Sequence, residues 1–277
     1  MSLNSLKGAA VLLREHPVLW LVGIVMGALA VLDILVPVYG GAFYTEPLAL
    51  LQVLVVPFLA GGVYGTVKGE TFSVGEFLQS GKTHYFRILL PTMIIFFAAL
   101  LTVFLLAVPL ALLGAGAAAG MTPLLFGVLV SIAFFTFFYD TVAVFEETTV
   151  FESIRRSIEF VMNNLGSVLL FYLANIAVAI ALGFAALFAW TALLAGKLES
   201  LTLMDQTELQ TVMPEDILAL IGTEGIWITA AVYAVVIVVY SAFLYAYKAS
   251  FFRNHAGTAA ARMPQGEYDE KGRWYKY

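Results

Sequence analysis

The sequence predicts an all-α, polytopic membrane protein with six transmembrane helices, and three observations carry that expectation. Six apolar runs of 18 or more residues follow one another along the 277-residue chain. Hydrophobic residues make up 61% of it and charged residues only 12%, with a mean hydropathy of +0.93. Thirteen of the 14 Lys and Arg residues fall on one side when the runs are threaded through a bilayer in order. A spanning helix needs about 20 apolar residues to cross about 30 Å of hydrocarbon, and it satisfies its own backbone hydrogen bonds there. The runs do not alternate, which excludes a transmembrane barrel. So apolar a composition also excludes a water-soluble domain and leaves no basis for nucleic-acid binding.

The first element is a short amphipathic helix. Leu3, Leu6, Ala10 and Leu13 form one stripe opposite Lys7 and Arg14, ending at His16-Pro17. The first span covers roughly residues 18–38; it is too long for a signal-peptide h-region and is expected to remain as a span. The second covers 47–67. Gly23 and Gly27 in the first span, and Gly61, Gly65 and Gly69 in the second, recur every four positions, a pattern that lets helix backbones approach closely. Packing within the chain is the reading favoured, with a homo-oligomer face as the alternative.

A capping box, in which a hydroxyl caps the amide three residues on and a carboxylate reaches back, stands at Ser73-Val-Gly-Glu76. Phe77, Leu78 and the polar 79–82 follow, then spans at 87–113 and 121–145. A second box, Thr149-Val-Phe-Glu152, lies 76 residues after the first. It predicts a helix ending near 163–166, with Phe151, Ile154, Ile158, Val161 and Leu165 on one face and Glu152, Arg155, Arg156 and Glu159 on the rest. Glu152 and Arg156 have the favourable i,i+4 order. A fifth span at 167–195, an outer insertion at 197–223 and a sixth span at 226–250 complete the pattern. Within the insertion, Pro214 to Gly222 reads as a short helix with Ile217, Leu218 and Ile221 on one face. Three amphipathic helices, each followed by two spans, suggest a threefold hairpin repeat. Residues 1–252 thus read as one transmembrane domain and 253–277 as a cytoplasmic tail.

Orientation follows from the basic residues. Lys7 and Arg14 precede the first span; Lys68, Lys82 and Arg87 separate the second and third; Arg155 and Arg156 separate the fourth and fifth; Lys248, Arg253, Arg262, Lys271, Arg273 and Lys276 follow or close the sixth. Lys197 alone lies outside. Both termini are therefore expected inside, in the cytoplasmic membrane, with the amphipathic helices on the inner face. The absence of cysteine removes disulfides and thiol chemistry.

The stretch Val142-Ala-Val-Phe-Glu-Glu147, then Phe151-Glu-Ser-Ile-Arg-Arg-Ser-Ile158, then Asn163-Asn-Leu-Gly166 resembles a signature of prokaryotic six-span proteins. These are similar to the membrane domain that precedes the catalytic domain of some glycerophosphodiester phosphodiesterases. Residues 253–277 are too few for a catalytic barrel, so the resemblance carries no catalytic residue onto this sequence.

Polar groups inside a span are costly and are the first candidates for function. Asp140, Asn175 and Gln52 are the candidates for lining a cavity between the hairpins. Asp33, near the outer end of its span, is expected to be hydrated. Asp140 is expected to pair with Arg155, Arg156 or Lys248, or else to floor a cavity open to the cytoplasm. His16, His84 and His255 lack metal-ligand spacing, and no nucleophile, metalloprotease or phosphate-loop motif occurs. No cofactor and no enzymatic activity are therefore expected. Arg155, Arg156, Arg273, Trp274 and Lys276 are the candidates for an inner interface with membrane lipids, anionic headgroups above all, with a soluble protein partner for the tail as the alternative. The function favoured is a noncatalytic membrane scaffold that organises lipid or protein. The alternative is a transporter of small molecules or lipid, and a polar cavity holding Asp140 would distinguish it.

Overall fold

The computed structural model describes residues 2–112, 115–202, 213–262, 266–268 and 274–276. Helix α1 (Ser2–Glu15) stops at His16, where Pro17 opens a 3₁₀ turn into α2 (Trp20–Leu35). Then follow α3 (Thr45–Gly69), α4 (Val74–Leu112), α5 (Ala115–Thr136), α6 (Tyr139–Phe145), α7 (Val150–Asn163), α8 (Leu165–Leu193), α9 (Ala195–Thr202) and α10 (Pro214–Arg262). Among the described residues the only strands are β1 (Gly266–Tyr268) and β2 (Trp274–Lys276), an antiparallel pair in the tail. Six segments are long and apolar enough to cross a membrane: Pro17–Gly40, Thr45–Gly69, Val74–Pro109, Pro123–Phe145, Leu165–Leu193 and Asp216–Ala256. The protein is a multi-pass membrane protein of the all-α class, its six membrane-crossing segments all helical.

Close packing is concentrated at the end of the bundle that carries α1, α7 and the last turns of α10, termed here the basic end. One cluster joins Leu19, Val22, Val63, Tyr64, Phe77 and Ile88; another joins Phe138, Phe160, Phe171, Tyr247, Phe251 and Phe252. Toward the opposite end the helices present their side chains outward, as at Phe96, Phe104, Phe184 and Phe188. In lipid this exposes nothing to water, and a backbone-satisfied helix tolerates it. The apolar windows of α2 and α3 are each 39% buried against 11% for that of α4, so α4 stands at the periphery for most of its length.

The glycine stripes serve packing inside the chain. Gly23 and Gly27 admit Val238 of α10, and a Cβ on Gly65 would come within 2.5 Å of the Ser80 Cβ of α4. Gly81 in turn lies against Phe58.

Three details depart from the sequence reading. The middle amphipathic segment is not a separate helix, because residues 74–86 run unbroken into the third span as α4. No proline or helix-stopping glycine stands between them, unlike His16-Pro17 before α2. In α1 the buried side is Ser5, Ala9 and Leu12, while Ala10 is exposed. The helix leans its small residues on α10, with Gly8 against Ser250 and Asn254 bonded to Ser5 at 2.9 Å. In α7 the packed face is Ser153, Ser157, Phe160 and Val161. Phe151 and Met162, 73% and 65% exposed, form a second apolar sector beside it. At about 100° per residue these fall in one arc, the geometry of a helix that faces protein on one side and the membrane boundary on another.

The caps also differ. Ser73 Oγ accepts from the Glu76 amide at 3.1 Å, as its box requires. Thr149 is the N-cap residue of α7 but its side chain makes no capping bond. Glu152 does not reach back because Arg155 and Arg156 hold it at 2.7 and 2.9 Å. At the opposite end, the helix from Pro214 breaks at Gly222, whose φ of +62° suits glycine. Ile221 packs there with Leu194 and Ile226, with Ile217 against the same cluster, whereas Leu218 is exposed.

Candidate functional site

The fourth span is not continuous. Helix α5 ends at Thr136 and α6 begins at Tyr139, leaving Phe137 and Phe138 between two half-helices. A broken helix frees backbone groups that must find partners within the protein. Ser157 of α7 supplies both: its hydroxyl donates to the Phe135 carbonyl at 3.0 Å and accepts from the Phe138 amide at 3.1 Å. This is why Ser157 is fully buried on the packed face of α7.

Asp140 sits in the first turn of α6, about 9 Å from the basic end of the span, counting 1.5 Å per residue to Glu146. A carboxylate is favoured at a helix N-terminus. The Thr141 amide donates to its Oδ1 at 2.7 Å, and the Tyr64 hydroxyl of α3 donates to Oδ2 at 3.2 Å. Lys248 of α10 completes the set, with Nζ 2.7 Å from Oδ1 and 2.9 Å from Oδ2. Asp140 is 7% and Lys248 5% exposed, so this is a buried ion pair. The ammonium also lies 3.9 Å from the ring centre of Phe137, with the rings of Phe138 and Tyr64 at 5.8 and 6.0 Å.

The pair borders a pocket of about 300 Å³, whose wall includes Tyr64, Thr136, Phe137, Tyr139 and Tyr245. Tyr139 exchanges a hydrogen bond with Thr92 of α4 at 2.7 Å, and Tyr245 lies 5.9 Å from Tyr64 between ring centres. Three return segments thus meet here: α3 with Tyr64, the break between α5 and α6 with Asp140, and α10 with Lys248.

Of the expected cavity residues, the structure brings only Asp140 to this pocket. Asn175 is buried elsewhere, its amide donating to Phe171 one turn back at 2.8 Å while Oδ1 has no partner among the described residues. Gln52 binds the exposed Asp33 at 2.7 Å. It stands twelve positions from Tyr64 on α3, about 18 Å along the axis. Lys248, counted among the basic residues of the inner side, lies inside the bundle, and its pairing with Asp140 is one of the options the sequence offers. The pocket's tyrosines were not singled out, because nothing in an apolar run distinguishes a tyrosine that faces a cavity from one that faces lipid.

A second ionic cluster closes the basic end below the site. Lys68 donates to the Val144 carbonyl in the last turn of α6 at 2.9 Å and to Glu147 at 2.6 Å; Arg87 approaches the same carboxylate at 3.8 Å. Glu147, just past the end of α6, has a φ of +54°, a left-handed conformation uncommon for a non-glycine residue. The hydrogen bond from Lys68 keeps the Glu147 carboxyl below its ordinary range. Burial pushes neighbouring Glu146 up, against the pull of Arg156.

At the expected interface, Arg155 and Arg156 ladder with Glu152 and Glu159 along α7. Arg155 donates to Glu152, which holds the Glu152 carboxyl below its ordinary range. Trp274 and Lys276 lie in β2, paired with Tyr268 and Gly266, and Arg273 falls outside the described residues. His16 stacks on Phe72 at 3.5 Å, while His84 and His255 each bond a carbonyl one turn back, at 2.9 and 2.8 Å. Among the described residues no group of three His, Asp or Glu could hold a metal ion.

Comparison with curated proteins and with solved structures gives no match. A family model described as a domain of unknown function, DUF7847, matches residues 2–255, from α1 through the turns of α10 that carry Lys248, and the chain belongs to that family.

Proposed function

We propose that this is a noncatalytic transport protein of the cytoplasmic membrane, with both termini inside, whose solute site is the pocket at Asp140. The observation that carries the reading is the coincidence of a broken span, a buried ionisable pair and a cavity. Discontinuous helices whose ends face a cavity are the recurrent way membrane carriers build solute sites, and intramembrane charges mark solute or ion pathways. The one-sided Lys and Arg distribution supports the orientation, and with the termini inside the pocket lies in the inner half of the bilayer. The threefold hairpin arrangement is part of this proposal. It is supported by the way each segment at the basic end crosses a return span at a small residue: Gly8 on α10, Gly81 on α3 and Ser157 at the break in the fourth span.

The scaffold reading retains one supporting observation, the apolar sector of α7 beside its guanidiniums, which fits a helix anchored at a lipid surface. The tail, with anionic headgroups or a soluble protein as its partner, belongs to the same reading. The similarity of 142–166 to membrane domains of glycerophosphodiester phosphodiesterases fits a lipid-facing role without any catalytic group.

The chain contains no cysteine, so single cysteines report access without background. Ala133→Cys, on the pocket wall, is expected to react with a membrane-impermeant maleimide in inside-out vesicles, faster than a lipid-facing control at Phe184→Cys. Equal, negligible reaction from both sides would mean a sealed interior and would favour the scaffold.

A further inference from the structure

Resting on that reading, we infer that the pocket is a cation site selective for small organic ammonium compounds, and that the Lys248 side chain is its built-in occupant. The argument turns on which member of the ion pair can leave. Asp140 is fixed: it lies in the first turn of α6, and its oxygens are also held by the Thr141 amide and the Tyr64 hydroxyl. Those donors keep a carboxylate satisfied in place whether or not Lys248 is present. The ammonium has no such fixed support. Besides Asp140 it meets the ring of Phe137 at 3.9 Å, with Phe138 and Tyr64 farther out.

An ammonium between a carboxylate and aromatic faces is the arrangement by which proteins recognise cationic ligands. Lysine reaches it on a flexible four-carbon stem, so its head can be withdrawn while α10 stays in place. The vacated position opens directly onto the pocket of about 300 Å³, whose wall adds the rings of Tyr139 and Tyr245. An anionic ligand finds the opposite situation. To reach Lys248 it would have to displace a carboxylate that is hydrogen-bonded to the backbone of its own helix. A cation therefore exchanges for Lys248, whereas an anion has no member to exchange with. Such exchange also couples the two: with the ligand bound, the lysine head must move off Asp140, and with the ligand gone it returns and keeps the carboxylate neutralised.

The test is titration of the full-length protein in lipid nanodiscs with choline and with its uncharged isostere 3,3-dimethylbutan-1-ol, followed by tyrosine and tryptophan fluorescence. Choline is expected to bind the native protein and the alcohol not to. Lys248→Met should raise choline affinity about tenfold, because a competing internal occupant is removed. Asp140→Asn should lower it at least about thirtyfold. Phe137→Leu retains the ion pair and removes the nearest ring, and a several-fold loss there keeps the inference testable if Lys248→Met is unstable. Equal binding of choline and the alcohol, or choline affinity unchanged in both Phe137→Leu and Lys248→Met, would overturn it. Absence of choline binding to every folded variant would overturn it as well. If Asp140-dependent solute flux were still seen, only the cation assignment would fall and the transport reading would stand.

Discussion

Removing Asp140 alone from the Asp140–Lys248 pair should cost far more than removing both charges. The two groups are 2.7 Å apart, and their side chains are 10% and 6% exposed. Asp140→Asn leaves the ammonium in a bundle core whose remaining neighbours are mainly aromatic rings. Breaking a buried pair in this way costs about 3–5 kcal/mol. Replacing both charges by neutral groups of similar shape, as in Asp140→Asn with Lys248→Met, removes the desolvation penalty together with the attraction, and such exchanges are commonly near neutral. A double-mutant cycle by SDS-induced unfolding in mixed micelles is the assay. The expected result is a double variant more stable than Asp140→Asn alone, with a coupling of about 2 kcal/mol or more. Additive losses, or an Asp140→Asn variant as stable as the parent, would refute the pairing and the burial on which the site rests.

Other perturbations test the surrounding scaffold. Ser157→Ala should destabilise by about 2–4 kcal/mol in the same assay, since it leaves a buried amide and a buried carbonyl unpaired at the break in the fourth span. Gly65→Ala should cost about 1–3 kcal/mol through the clash with Ser80. Gly127→Ala, where a Cβ meets nothing within 4 Å, should be neutral or should stabilise by up to about 1 kcal/mol. The adjacent Glu146 and Glu147 should respond to pH in opposite senses. Glu147 titrates below its ordinary value of 4.5, so its contribution is present above pH 4.5 and is lost as pH falls through the lowered value. Glu147→Gln should therefore lower the melting temperature at pH 7. Glu146 titrates above 4.5, so its ionisation opposes folding as pH rises, and Glu146→Gln should raise the melting temperature at pH 7. Both differences should shrink as pH falls below the lower of the two transitions; melting curves of the two variants at several pH values check the signs.

The six spans were legible because each is a long apolar run, and length against bilayer thickness is a physical requirement that no tertiary contact overrides. The start of α7 was legible for a similar reason: Thr149 and the acidic first turn are local features. The break at Phe137–Phe138 was not. It contains neither glycine nor proline, and what sustains it is a hydroxyl from a helix about twenty residues later, a contact that a window on the sequence cannot contain. Asp140 in the span and Ser157 among the apolar residues of α7 were the two visible traces, and they gain meaning only together. Asn175 and Gln52 lie away from the Asp140 pocket: the Asn175 amide donates one turn back to Phe171, and Gln52 donates to Asp33 of the preceding span. The buried stripes of α1 and α7 rotated away from the most apolar residues because small residues at the contact permit closer approach, leaving the larger ones for the membrane boundary.

Solute flux through reconstituted protein tests the central claim most directly. Liposomes bearing the native protein or Asp140→Asn would be loaded with a mixture of small organic cations, amino acids and organic acids, and the retained pool followed by mass spectrometry. The transport account expects at least one solute, an organic cation foremost, to leave native vesicles and stay in Asp140→Asn vesicles. Identical retention of every solute class in the two preparations, with both proteins folded and inserted, would contradict it.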